Sequence, residues 1–406
     1  MKHPAKDRRR RGPLAPRAVC GAVALALLAA QAPLPALADA YSQARRIYER
    51  LDGVPPSSSV LAQMVQKIQS GGGSQSSLLE AAAIATDPAT GPDFYDVTLK
   101  EFVNPWTNRN QSAFVPFNDY TATVIGMVRD DVPFNTVLSA NILYTVNSPG
   151  LPPASPANND HYATAEADGV DFASALQKST QTAVYGTPSQ GVAGVWTTRA
   201  GAAAFFVLGT NRAQFRFTML NYLCHDMQTV MDNTRPTDRI RQDVARSPGG
   251  DSRVFLNNCA GCHSGMDPMA QAFAYYDFNT TTSQLVYTPG QVQAKYLKNP
   301  QNFPWGFVTP DDSWSNRWRS GPNADLGWDT SLPGSGVGAA SLGQELENTE
   351  AFASCQVVKV FQQVCLRAPA SAADQTTVKT IENDFIDSGY HLKQVFQESA
   401  AACAGT

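Results

Sequence analysis

Cys259-Ala260-Gly261-Cys262-His263 is the run whose residue types and spacing carry the most specific chemistry in the chain. Two thiols three residues apart on one helical turn both reach the vinyl groups along one porphyrin edge. The histidine that follows is placed to put an imidazole nitrogen on the iron from the proximal side. The same residue types also read as half of a zinc site. No second Cys-x-x-Cys and no His-x3-5-His supplies the other half. The spacing therefore predicts one covalent haem c, with Cys259 and Cys262 as thioether donors and His263 as the proximal ligand.

The sixth ligand is open at this level. Met266 and Met269 are the last methionines, and Met266 shares the helix face of His263, so it cannot cross to the far side of the iron. A distal Met has to come from upstream: Met64, Met127, Met219, Met227 or Met231. Among histidines, His391 falls in an expected surface helix, which leaves His161 or His225 as distal candidates. A five-coordinate iron is the third option.

The elements that must position these residues follow from periodicity and breakers. Phe255 to Cys259 leads into a helix carrying Cys262 and His263, which Asp267-Pro268 ends or kinks. Ala272-Phe273-Ala274-Tyr275-Tyr276 then offers aromatic surface to the porphyrin or to the core. Upstream, 199–231 reads as one or two helices ending near Thr234-Arg235-Pro236, and Ser247-Pro248-Gly249-Gly250 as a turn. Residues 41–90 read as helix, Gly/Ser tract, helix. Phe94–Leu99 and Tyr120–Val128 read as helices, with strand left open by their β-branched content. Residues 147–160 form a Pro/Asn/Ser-rich loop. Residues 280–345 are loop-rich and hold Trp305, Trp314, Trp318 and Trp328, which either stack over the haem edge or pack the loops. Residues 344–368 and 372–401 read as two amphipathic helices.

The N-terminus reads as an export signal: basic residues from Lys2 to Arg11, an apolar run from Ala18 to Ala32, and a small-residue cleavage site near Ala38–Ala40. An uncleaved anchor is the alternative, but Pro33 and Pro35 interrupt a run already short for a span. Cleavage takes seven of 31 basic and two of 35 acidic residues, which leaves 24 against 33, a net charge of −9. That balance argues against nucleic acid and anionic membrane as partners and suits a redox partner protein with a basic face. No transmembrane span is expected in the mature chain, which places it in the periplasm or on the cell surface. Of seven cysteines, Cys20 leaves with the signal and two take haem. Cys224, Cys355, Cys365 and Cys403 then suggest two disulfides. Cys355 and Cys365 on one continuous helix stand about 15 Å apart, too far to bond each other. Pairings that join that helix to Cys224 or Cys403 are favoured.

The run from Phe255 through Cys259, Cys262 and His263 to Asp267-Pro268-Met269, with Ala272-Phe273 and Asp277, resembles the planctomycete-type cytochrome c-like family. There, consecutive cytochrome-like domains surround a single haem motif. Val128 to Phe134 resembles that family's upstream companion domain. Gly191 to Thr198, with Thr210-Asn211-Arg212, resembles the lead-in to its haem domain. Phe352 to Cys355 through Pro369, with Ser388-Gly389-Tyr390, resembles its C-terminal helical domain. The resemblance implies that Cys259, Cys262 and His263 carry the haem, and it matches His161-Tyr162 to a His-Tyr pair.

The expected fold is mainly α: a cytochrome c-like haem-binding helical domain with flanking helical domains and long loops. The segments are a signal peptide (1–40), an N-terminal helical domain (41–150), a haem domain (151–290), a Trp-rich loop region (291–345) and a C-terminal helical domain (346–406). The expected function is one-electron transfer in the bacterial envelope. The alternatives are a peroxidase-like haem enzyme or sensor with an open distal site, and a surface or assembly protein with structural haem.

Overall fold

Polar caps and breakers decide where the helices begin and end. The computed structural model describes residues 39–297 and 300–405, so the expected signal falls outside the described residues up to position 38. Asp39, Ser57 and Ser74 each accept a first-turn N–H, and they open α1 (Ala40–Asp52), α2 (Ser58–Ser70) and α3 (Gln75–Ala85). Three helices thus occupy the stretch read as two. Gly53, with φ 76°, closes α1, and Pro55-Pro56 keeps it from running into α2.

The two β-branched stretches are helical. Phe94–Leu99 forms a π turn, and Tyr120–Val128 lies within α4 (Asp119–Arg129). Asn118 caps α4 by accepting the N–H groups of Tyr120 and Thr121. From Asp119 to Val128 the helix is buried on every side, so it shows no polar face to betray its period.

Next come α5 (Asp160–Ala167), α6 (Arg199–Phe205) and α7 (Arg212–Tyr222). The expected helical stretch stops at Tyr222, and the chain runs as turns from Leu223 to Ser247. α8 (Ala260–Ala270) carries the Cys-x-x-Cys-His run. Four helices follow: α9 (Gly338–Glu347), α10 (Glu350–Cys365), α11 (Ala372–Asp387) and α12 (Leu392–Ala402). Two were read there. Thr349 caps α10, a Ser371–Asp374 capping box starts α11, and the positive φ of Gly389 and Tyr390 separates α11 from α12.

The strands are three antiparallel pairs: β1 (Leu143–Val146) with β2 (Leu176–Ser179), β3 (Tyr276–Asn279) with β4 (Gln284–Tyr287), and β5 (Ser313–Ser315) with β6 (Ser335–Val337). The protein is mainly helical. No helix among the described residues is long and apolar enough to cross a membrane.

α12 packs against α1, α3 and α10, which joins the two ends of the described chain in one bundle. Edge-to-face ring contacts run from Phe94 through Phe396, Phe102 and Trp106 to Tyr222. One hydrophobic core reaches from Ala44 to Ala404 and takes residues from each of the four segments expected after the signal. Two disulfides fasten α10: Cys224–Cys355 to the end of α7, and Cys365–Cys403 to the end of α12. Such bonds belong to an oxidising compartment.

Candidate haem-attachment site

The motif enters on a distorted helix. Asp251 caps the short helix Ser252–Val254, and a π turn follows over Phe255–Cys259. Its extra residue is closed by the Ala260 N–H bonding the Phe255 carbonyl. Turns of this kind concentrate at functional positions, and this one sits at Cys259. α8 does not end at Asp267-Pro268 as its sequence suggests. It passes through Pro268 to Ala270, and the Gln271 N–H returns to the Asp267 and Met269 carbonyls. The missing proline N–H forfeits one bond, to the Ser264 carbonyl, late in the helix.

The two sides of α8 do different things. Gly261 and Gly265 are two residues either side of His263, about 200° around the helix from it. They let other chain segments come close. A Cβ on Gly261 would stand 2.4 Å from Met231 Cγ, and one on Gly265 would stand 1.9 Å from Trp318 Nε1. Asp232 clamps this back face further: its N–H donates to the Gly261 carbonyl, and its own carbonyl accepts from Ser264 Oγ. Trp318 is fully buried there, Trp314 and Trp328 are nearly so, and Trp305 is 88% exposed. Three of the four tryptophans therefore pack the loops. Phe273 and Tyr276 are likewise core residues, edge-on to Trp196 and stacked on Phe206 respectively.

The front face carries Leu256, Cys259 and His263 in register. Leu256 is 55% exposed. Cys259 packs on a small separate cluster of Ile240, Val244, Phe255 and Ala260. Cys262 packs on the main core, and its Sγ donates to the Met227 carbonyl at 3.3 Å. Both thiols are free and half-buried. Burial pushes the Cys262 thiol up, and the charges of Cys259 and Asp226 add to that.

A buried charge network sits directly behind His263. Its Nδ1 lies 3.1 Å from Oδ1 of Asp267, one turn on along α8. The Asp267 side chain is wholly buried. It accepts Arg212 Nε at 2.7 Å and Nη2 at 2.9 Å, Arg241 Nη2 at 3.4 Å, and the Arg241 backbone N–H at 3.3 Å. Asp243 takes the other edge of Arg212 at 2.6 and 2.9 Å. Burial alone would raise the Asp267 carboxyl. The Arg212 and Arg241 guanidinia and the His263 hydrogen bond outweigh it and hold the group well below the usual carboxylate range.

Arg212 is delivered by its neighbour. Asn211 adopts a left-handed conformation, φ 57°, that turns the chain into α7. Its amide donates to the carbonyls of Phe273 and Tyr276, just beyond α8.

The structure holds Cys259, Cys262 and His263 together at the start of α8; both ring nitrogens of His161 are engaged by backbone, while His225 has Nδ1 engaged. His161 is buried on α5. Its Nε2 accepts the Val146 N–H at 2.9 Å, and its Nδ1 donates to the Pro152 carbonyl at 2.7 Å. His225 gives Nδ1 to the Leu223 carbonyl at 2.5 Å. It lines a cleft of about 360 Å³ beside the Cys224–Cys355 disulfide, with Glu350, Lys379 and Glu382. Met64, Met127 and Met219 lie in the core, Met227 is buried, and Met231 packs on the back of α8.

Asp267, Arg212, Asp243 and Arg241 carry the site's electrostatics and are absent from the residues the sequence singles out as ligands. One signal was there: Asp267 is four residues from His263, the spacing at which helix side chains meet.

The donor set fits a haem c: two unpaired thiols on one turn, an imidazole whose Nδ1 is engaged so that Nε2 is the open nitrogen, and an exposed apolar residue in line with them. A zinc site lacks its other ligands, since no group of three or more His, Cys, Asp or Glu is placed to hold a metal ion among the described residues. Comparison with family models, curated proteins and solved structures returned no match for this chain.

Proposed function

We propose that the protein is an exported mono-haem c-type cytochrome that carries single electrons in the bacterial envelope, on the plan of the planctomycete-type cytochrome c-like family. One observation carries this reading: the four other described cysteines are paired, while Cys259 and Cys262 are free beside His263. Cys259 and Cys262 would hold the porphyrin by thioether bonds, each thiol hydrogen passing to the neighbouring vinyl carbon with nothing oxidised. His263 would offer Nε2 to the iron, and the bound haem would supply one-electron exchange. The acidic chain suits a redox partner protein with a basic face and is unsuited to nucleic acid. The signal near Ala38–Ala40 and the disulfides together support a periplasmic or cell-surface location.

A second reading has its own support. Both nitrogens of His161 are engaged by backbone. An open iron site, binding small ligands as a sensor or peroxidase-like enzyme does, is consistent with that. Optical and electron-paramagnetic-resonance spectra of the purified protein, with and without carbon monoxide, separate the two. Low-spin iron indifferent to carbon monoxide is the electron-transfer outcome; high-spin iron shifted by it favours the second reading. Covalent haem on a denaturing gel is expected to vanish in Cys259→Ala/Cys262→Ala, and its persistence refutes the attachment itself.

A further inference from the structure

We infer that Asp267 polarises His263 through the Nδ1 hydrogen bond and so holds the reduction potential of the site low. This is a positioning and tuning role, and it rests on the haem reading above. A carboxylate behind a ligating histidine fixes the ring, selects its tautomer and raises the basicity of the other nitrogen. All three conditions are met by residues of this chain. The Nδ1 to Oδ1 distance is 3.1 Å. The carboxylate is shielded from solvent, where its field is least screened. The two-pronged grip of Arg212 at 2.7 and 2.9 Å fixes the carboxylate plane, so Oδ1 stays aimed at the imidazole.

The charge count agrees. Arg212 and Arg241 balance Asp243 and Asp267, and Arg246 adds a positive charge that faces both carboxylates, so the surroundings favour a neutral His263, the form that binds iron. Asp243 has a part of its own. By taking the far edge of Arg212 it draws guanidinium charge away from Asp267 and leaves more of the carboxylate's influence for His263. A more basic Nε2 favours ferric over ferrous iron, which lowers the potential.

The test is potentiometric titration of the haem-loaded protein as wild type, Asp267→Asn and Asp243→Asn. Asp267→Asn is expected to move the one-electron equilibrium toward ferrous iron by about tenfold, ~59 mV. Asp243→Asn removes the same unit charge without touching His263 and is expected to move it less than about threefold in the same direction. Mere loosening would admit water, favour the ferric charge and drive the potential down, so the sign separates tuning from damage. Should Asp267→Asn fail to keep its haem, Arg212→Lys decides. That change retains the charge but loses the fork that aims Oδ1 at the imidazole, so the potential rises; no change or a fall overturns the inference. Equal shifts in Asp267→Asn and Asp243→Asn also overturn it. A wild type without covalent haem overturns the proposed function along with it, whereas a loaded wild type matched by Asp267→Asn overturns this inference alone.

Discussion

Two regions of the molecule keep their cysteines in opposite states. Around α10, Cys355 and Cys365 are cross-linked to Cys224 and Cys403, and the surroundings are closed helical packing. Around α8, Cys259 and Cys262 stand free, the lead-in from Leu223 to Ser247 is all turns, and the side chains are held by a buried four-charge network. The first region is fastened by covalent bonds. The second holds its shape with charge pairs and glycine-mediated contacts, which leaves its thiols available. Structural and reactive cysteines are thus told apart by what surrounds them, although all six lie in one compact unit.

Four measurements break or sharpen that contrast. The largest effect is expected on the cross-linked side. Chain entropy assigns about 5 kcal/mol to the 131-residue Cys224–Cys355 loop and about 4 kcal/mol to the 38-residue Cys365–Cys403 loop. Denaturant unfolding of Cys224→Ser/Cys355→Ser is expected to show most of the larger loss. A loss below that of Cys365→Ser/Cys403→Ser would reverse the ranking.

On the α8 side, Arg212→Met leaves Asp243 without its guanidinium and Asp267 with only the long Arg241 contact. It is expected to cost about 3–5 kcal/mol, read by the same unfolding experiment. A neutral result would mean that the network positions His263 without stabilising the fold.

Two buried carboxylate sites also answer pH with opposite sign. Burial raises Glu347, at the end of α9, to about 8, against the hydrogen bonds it accepts from Ser139 Oγ and the Leu138 N–H. Its stabilisation is complete below about pH 4 and lost as pH rises through about 8. Asp267 and Asp243, despite burial, are lowered by their arginines. Theirs is present above about pH 4 and lost as pH falls below it. Glu347→Gln is expected to flatten the decline in melting temperature between pH 5 and 8 while leaving the acid limb intact. An unchanged slope would remove Glu347 as its source.

The smallest effect concerns His161. His161→Ala leaves the Val146 N–H and the Pro152 carbonyl without a partner and is expected to cost about 1–3 kcal/mol. The haem spectrum should stay the same, and a changed spectrum would place His161 at the iron.

Much of this contrast was legible in the residues. Asp39, Ser57, Ser74, Thr349 and Ser371 are helix-starting types, and each does cap a helix. Helical rise alone excluded a Cys355–Cys365 bond. The β1–β2 pair was not legible, because its strands meet across some thirty residues and no local turn signal announces it. The course of α8 through Pro268 was hidden as well, since a proline near the end of a helix costs little. The charge network was hidden for a third reason. Arg212, Asp243 and Asp267 are far apart in the chain, and tertiary contacts such as Asn211's hold on Phe273 and Tyr276 and the Arg241 N–H bond to Asp267 bring them together.

The Cys224–Cys355 bond has a consequence for the integrity of the chain. Residues 224–355 form a covalent ring that contains the whole of α8, Arg241, Asp243 and Asp267 of the charge network, and Trp314, Trp318 and Trp328. A protease that cuts one exposed turn in that ring, beside Trp305 for example, opens it without releasing a fragment. The two pieces stay joined and run as one until a reductant is added.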